Sequence, residues 1–351
     1  LFLGIRDLRF ARGRFALMAV VIFLITLLVV LLSGLAAGLG NQSIAAVKNL
    51  GADHMAFSRP ASGDKISYTA STATPAEQKK LAGRPGVDDA ALIGVAMTKA
   101  DHTSVSAFGV DPGGFAAPDG VHGRSIVVDA DLAADQGWSD GDRVAINGTK
   151  FTVAGTKDDS YFNHQSVIWM DRSAWTKLPS AAGADGTVVA LRTSGSFDAG
   201  AASATSGMDV VGHKDAVNAV GSYTSENGSL TLMQVILMAV SALVVGAFFT
   251  IWTIQRSGDL AVLKAMGAAT KYLLKDALGQ ALLVLVIGGG LGALFAGGLG
   301  LLAAQVVPFI VTPMTTLVPL AVVVVLGMLG ASAALHRIST VDPLTALGAT
   351  R

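Results

Sequence analysis

The chain contains no cysteine, which removes disulfide frameworks, thiolate metal sites and thiol catalysis from consideration. It is also poor in charge. Asp, Glu, Lys and Arg make up 14% of its 351 residues, against about a quarter in soluble domains, while 52% are hydrophobic. That deficit excludes one large globular enzyme and points to a membrane protein carrying a soluble part. The formal net charge is zero, which argues against a nucleic-acid partner. No phosphate-cradling Gly-x4-Gly-Lys-Ser/Thr loop, no Gly-x-Ser-x-Gly elbow and no His-Glu-x-x-His helix occurs, and His54, His102, His122, His164, His213 and His336 keep no metal-ligand spacing. Asp140/Asp142 and Asp158-Asp159 read as solvated turn acids. No catalytic residue and no resident metal is expected, and the chain does not bind ATP by a phosphate-cradling loop of that kind.

What the chain does have is long apolar runs. A membrane-spanning helix needs about 20 mostly apolar residues, and four stretches qualify: 15–39, 230–254, 277–310 and 317–335. The third exceeds a straight span, which predicts tilt or a break near Pro308. The first also far exceeds the short core of a cleaved leader, so it reads as a retained anchor. The runs leave a lead-in segment 1–14, an insert 40–229, a short connection 255–276 and a tail 336–351. Charge is segregated among them. Arg6, Arg9, Arg12 and Arg14 precede the first run, and Arg256, Lys264, Lys271 and Lys275 follow the second, whereas the insert holds 15 basic and 21 acidic residues. The positive-inside rule then puts both ends and the 255–276 connection in the cytoplasm and the insert outside. The expected fold class is a membrane α-helical protein of four transmembrane helices with an inserted extracytoplasmic mixed α/β domain, multi-pass in the cell membrane and surrounded by lipid.

Inside the insert, alternating apolar residues flank Asn147-Gly148, the pair that best tolerates the positive φ angles of a two-residue hairpin turn. Residues 126–128 and 166–170 read as partner strands, and 74–81 as a capped helix. The Gly/Ser-rich stretches 180–186 and 193–207 read as surface loops. In the third run, Gly288-Gly289-Gly290, Gly292, Gly297, Gly298 and Gly300 include small-x3-small spacings that let helix backbones approach closely in lipid. Packing within one chain and a seam between two copies both fit that pattern.

The most specific segment follows the second run: Arg256-Ser257-Gly258-Asp259-Leu260-Ala261-Val262-Leu263-Lys264-Ala265-Met266-Gly267. Leu260, Leu263 and Met266 fall at helical spacing, and Gly267 suits a helix end. This segment resembles the coupling helix of FtsX/MacB-like permeases of ABC transporters, with Asp259 where glutamate is usual. The tail Val341-Asp342-Pro343-Leu344-Thr345-Ala346-Leu347 and the amphipathic start 8–14 resemble the same family. The resemblance implies that Arg256, Asp259, Lys264, Ala265 and Gly267 touch a separate cytoplasmic ATPase, itself a dimer, and that this chain works as a homodimer. The single inserted domain and the length most resemble the haem-exporting permeases of that family. Haem is therefore the implied cargo, with no tightly bound cofactor. Export of a peptide, macrolide or lipid-linked substrate, or signalling to an outer hydrolase without transport, are the alternatives.

If haem is the cargo, its ligands belong where the insert meets the second span. Glu226 is one of only two glutamates, with Glu77. Tyr223, Glu226 and Leu230 share a helix face by spacing, and an ionisable group beside the bilayer is a functional candidate. Tyrosinate is an established haem ligand type. Met233 and Met238 further along, and His54-Met55 beyond the first span, complete the candidate set.

Overall fold

The structure is a computed structural model in which residues 12–60, 64–255, 266 and 269–339 are described. Among them, four helices are long and apolar enough to cross a membrane. They are α1 (Arg12–Lys48), α7 (Gly221–Gln255), α8 (Thr270–Ala303) and α9 (Pro313–Ser339), of which α1, α7 and α9 run longer than the hydropathy pattern alone marks. The chain divides into two compact units, one of them Leu39–Asn227 and the other the residues on either side of it.

The helical unit is held by an apolar core of Phe15, Met18 and Ile22 from α1, Val245, Phe249 and Trp252 from α7, Ala281 and Leu285 from α8, and Ala331 and Leu335 from α9. Its outer faces stay apolar: Leu24, Leu243, Leu294 and Leu329 are all exposed. Helices suit this setting because every backbone polar group is satisfied within its own segment. The third apolar run ends its helix at Ala303, before Pro308. Pro308 and Phe309 instead fill a notch in α1, where a Cβ at Gly38 would overlap the Pro308 carbonyl and one at Gly34 would overlap the Phe309 ring. The Ile310 N–H donates to the Gly34 carbonyl at 3.1 Å. The expected break near Pro308 is thus a chain reversal seated on glycine.

The other unit is a mixed α/β domain. Its strands are β1 (His54–Ser58), β2 (Val87–Ala100), β3 (Thr103–Val110), β4 (Ser125–Asp129), β5 (Arg143–Ile146), β6 (Thr149–Lys157), β7 (Tyr161–Phe162), β8 (Gln165–Asp171), β9 (Val188–Thr193) and β10 (Met208–Gly212). Among the helices between them are α2 (Pro75–Ala82), α3 (Ala130–Gln136), α4 (Arg172–Trp175), α5 (Ala199–Ser206) and α6 (His213–Val217). The strand order is β10-β1-β9-β2-β3-β8-β4-β6-β5, and β7 pairs with β8. β2 is long enough to serve two sheets. Its first half pairs with β9, its second half with β3, and its last residue Ala100 pairs with Ile146 of β5. That last bridge closes β2, β3, β8, β4, β6 and β5 into a ring, whose interior is filled by Val105, Ala107, Ile126, Val128, Val144, Phe151, Ile168 and Met170.

Local chemistry explains the elements. The β5–β6 hairpin turns at Asn147 and Gly148 with φ of 47° and 79°, the pair of positive angles a two-residue turn demands. Thr74 caps α2, and Glu77 returns a bond to the Thr74 N–H at 2.8 Å, a reciprocal capping box. β4 and β8 pair antiparallel with Val127 opposite Trp169. Residues 193–207, expected to be loop, contain α5. The Asp198 carboxylate accepts from the Ala201 N–H at 3.0 Å, and Gly207 adopts the left-handed conformation that ends the helix. Alanine between two caps is enough to form a helix there.

Asp171 ends β8 and caps α4, accepting from the Ser173 N–H and the Gly123 N–H, each at 2.8 Å. Burial works against its ionisation, but those donors and the Arg172 charge outweigh it and hold its pKa below the ordinary value. A depressed acid contributes stability above its unfolded pKa and loses it as pH falls through the folded one. Asp171→Ala is therefore expected to cost about 1 kcal/mol at neutral pH. The gap to the parent should close as pH falls below about 4. Urea unfolding of the full chain at both pH values measures this; an equal gap at both would contradict it.

Candidate functional site

The ends of α1 and α7 that lie in the sheet domain meet the turn between β7 and β8. That turn is two residues, Asn163 and His164, with φ of 53° and 60°. It docks on α1: the Asn163 N–H donates to the Ser43 carbonyl at 2.9 Å and the His164 N–H to the Gln42 carbonyl at 3.1 Å. The Asn41 side chain donates to the Asp159 carboxylate at 3.2 Å on the approach to β7. Ile44, Val47 and Leu50, at and just past the end of α1, are buried in one core with Phe57, Tyr68, Phe108, Phe162 and Trp169. Burial in this core pushes the Tyr68 hydroxyl pKa well upward, so it stays neutral.

Glu226 lies in the second turn of α7, past the first turn where a helix dipole acts on an acid. Its partner is His164, whose Nε2 lies 2.9 Å from Oε1 and 2.8 Å from Oε2. The same nitrogen is 3.0 Å from Oγ of Ser43 on α1, and Ser43 is fully buried. Tyr223, one turn earlier, packs partly buried against the core. Its ring lies over Gly40, where an added Cβ would be 3.4 Å from Cε2. One histidine thus joins two helix ends and a hairpin.

The structure therefore brings Tyr223 and Glu226 together and adds His164. Met233 is exposed and Met238 half-buried, both further along α7. His54 is engaged elsewhere: its Nδ1 lies 3.0 Å from the Thr193 hydroxyl and its ring 4.8 Å from that of Phe197. Met55 is 1% exposed and packed in the core. The residues expected to couple to an ATPase, Arg256, Asp259, Lys264, Ala265 and Gly267, lie outside the described residues. Among the described residues no group of three or more His, Cys, Asp or Glu could hold a metal ion.

His164 was not singled out by sequence. The short apolar pairs Tyr161-Phe162 and Val167-Ile168 around Asn163-His164 could have marked the turn. Nothing local marks its pairing with a glutamate 62 residues away.

Four membrane-length helices with a sheet domain inserted between the first two define a multi-pass membrane architecture. Residues 231–343 match the family described as "FtsX-like permease C-terminal". Over nearly its full length it is similar to the "Putative hemin transport system permease protein HrtB" of Staphylococcus haemolyticus, 25% identical with 98% of each chain covered. An ABC transporter permease of Mycobacterium tuberculosis is 27% identical with 99% of each chain covered. The periplasmic region of MacB from Actinobacillus actinomycetemcomitans aligns with 48% of this chain and 93% of that one, at 12% identity and a TM-score of 0.36.

Proposed function

We propose that this chain is the membrane half of an efflux pump that expels haem from the outer leaflet, working as a homodimer with a separate cytoplasmic ATPase. The observation that carries the cargo is the end-to-end similarity to a hemin transport permease, 98% of both chains. In this reading the sheet domain lies outside the cell and both ends of the chain lie in the cytoplasm, an orientation that the segregation of arginine and lysine supports. Closure of the ATPase pair on ATP moves the segment carrying Arg256, Asp259, Lys264, Ala265 and Gly267, and the motion is passed to α1 and α7, each an unbroken helix.

Tyr223 and Glu226 supply the oxygen ligands. They sit one turn apart on α7, so both present to the same side of the helix. Oxygen donors suit ferric iron, and the Glu226 side chain is 41% exposed beside its His164 partner. Haem itself brings a flat apolar face that partitions into lipid, so a site at the end of a membrane helix needs no route across the bilayer.

The test is a titration of the purified chain in detergent with haemin, read by visible absorption. A saturable spectrum is expected for the parent, weakened at least tenfold by Glu226→Gln, a loss of roughly 1.4 kcal/mol or more. Tyr223→Phe should alter the spectrum of the bound form. A parent spectrum identical to haemin in empty micelles would overturn the haem reading.

A further inference from the structure

The geometry points to His164 as a built-in cap on Glu226: an imidazole of this same chain occupies the place from which a ligand would reach the carboxylate. A ligand that takes Glu226 must then displace a side chain rather than water. The argument begins with the carboxylate. Both of its oxygens lie within 2.9 Å of one nitrogen, His164 Nε2, so the group straddles that nitrogen and both oxygens are committed to it. An isolated surface pair of this kind contributes little, because two mobile side chains must be ordered to form it. Here one of them is already ordered. The His164 backbone is fixed at positive φ, its N–H is bound to the Gln42 carbonyl, and its ring nitrogen also meets the buried Ser43 hydroxyl.

The cap has a second consequence. The same nitrogen contacts Ser43 of α1 and Glu226 of α7, so it fastens the two helix ends to one hairpin turn. Lifting the imidazole uncovers Glu226 and releases the entry turn of α7 from α1 in one step. His164 is therefore a positioning residue acting through Glu226. Its significance for cargo rests on the haem reading above; the cap itself does not.

The experiment labels carboxylates of the full-length chain in detergent with a carbodiimide and an aliphatic amine, followed by peptide mass spectrometry. Glu77, tied in its own capping box with Thr74, is the internal reference. His164→Leu should raise the rate of Glu226 labelling roughly fivefold, the scale of one exposed ion pair, with Glu77 unchanged. His164→Gln keeps an N–H at the same reach and should stay near the parent rate, which a general loosening of the turn would not do. Equal labelling in the parent and His164→Leu, or a His164→Gln rate matching His164→Leu, would overturn the cap. In the haemin titration, His164→Leu should bind several-fold tighter, and adding Glu226→Gln should abolish the gain. If labelling shows the cap while haemin binds the parent and Glu226→Gln alike, the haem reading falls and the cap stands. If Glu226→Gln weakens haemin binding while labelling is indifferent to residue 164, the cap falls and the haem reading stands.

Discussion

Trp175→Ala is expected to destabilise the sheet domain by about 3–5 kcal/mol, the range for emptying a buried large aromatic site. Trp175 is fully buried, and the strands beneath it are shaped for it. Gly94 of β2 and Gly109 of β3 are direct register partners. A Cβ at Gly94 would lie 2.4 Å from Cδ2 of the indole, and one at Gly109 would lie 2.5 Å from Trp175 Cβ. Two facing glycines thus leave a bare patch on the sheet, and the ring lies on it. Alanine would leave that patch without a cover. The indole N–H has no hydrogen-bond partner among the described residues, so truncation strands no acceptor there and the loss is one of packing. The pairing can be checked by a double-mutant cycle. Gly94→Ala alone should cost about 1–3 kcal/mol through overpacking, but little once Trp175 is gone. Unfolding of the full chain in urea, followed by the far-ultraviolet signal, reads all four variants. Additive losses would refute the fit of ring to glycine.

How much of this was legible in the sequence follows from the range of each interaction. The Asn147-Gly148 turn and the Thr74/Glu77 capping box were legible because three or four consecutive residues contain their whole cause. The apolar runs were legible because hydropathy needs no knowledge of neighbours. Helix ends were not. The hydropathy of the first run ends at 39, but α1 continues to Lys48, since its final turns bury Ile44 and Val47 in the sheet domain rather than in lipid. Composition reports the solvent a residue prefers and says little about where a backbone stops being helical. The same limit made 193–207 look like loop, since small residues read as flexible until Asp198 and Gly207 are recognised as caps. The ring closed by Ala100 and Ile146 and the split pairing of β2 depend on contacts between distant segments, which no local pattern encodes.

The candidate site divides along the same line. Tyr223 and Glu226 were legible as a helix face, because their spacing is local. His164 was not, because its role comes from a hairpin tip placed beside two helices. Met55 illustrates the reverse case. Its type suggested a ligand, but a strand between β9 and β10 turns its side chain into the core, and His54 beside it, alternating to the other face, is held by Thr193.

Gly292→Leu is expected to prevent correct packing of the helical unit, at a cost of roughly 3 kcal/mol or more, the upper end for overpacking. The glycines of α8 are not equivalent. At Gly292 an added Cβ would lie 2.5 Å from the Phe23 carbonyl oxygen and 3.1 Å from Thr26 Cβ, and at Gly288 2.8 Å from the Ala19 carbonyl oxygen. These obstacles are mainly backbone of α1, which cannot swing aside as a side chain would. Cβ atoms added at Gly290, Gly297 and Gly298 would meet nothing within 4 Å among the described residues. The small-x3-small spacing at 288 and 292 is therefore used within the chain, to bring α8 against α1. Gly292→Ala should already lower thermal stability, since one methyl group meets the carbonyl. Gly297→Leu should leave the fold intact and gain helix propensity. Thermal unfolding in detergent, with size exclusion to count folded material, distinguishes them. If Gly292→Leu and Gly297→Leu behaved alike, the close approach of α8 to α1 could not be what Gly292 is for. If Gly292 alone is intolerant, a bulky residue there blocks the helix that must pack against the very segment, α1, whose far end meets the His164 turn. Loss of haemin binding in that variant would then report a failed fold, and should not be read as a defect at Tyr223 or Glu226.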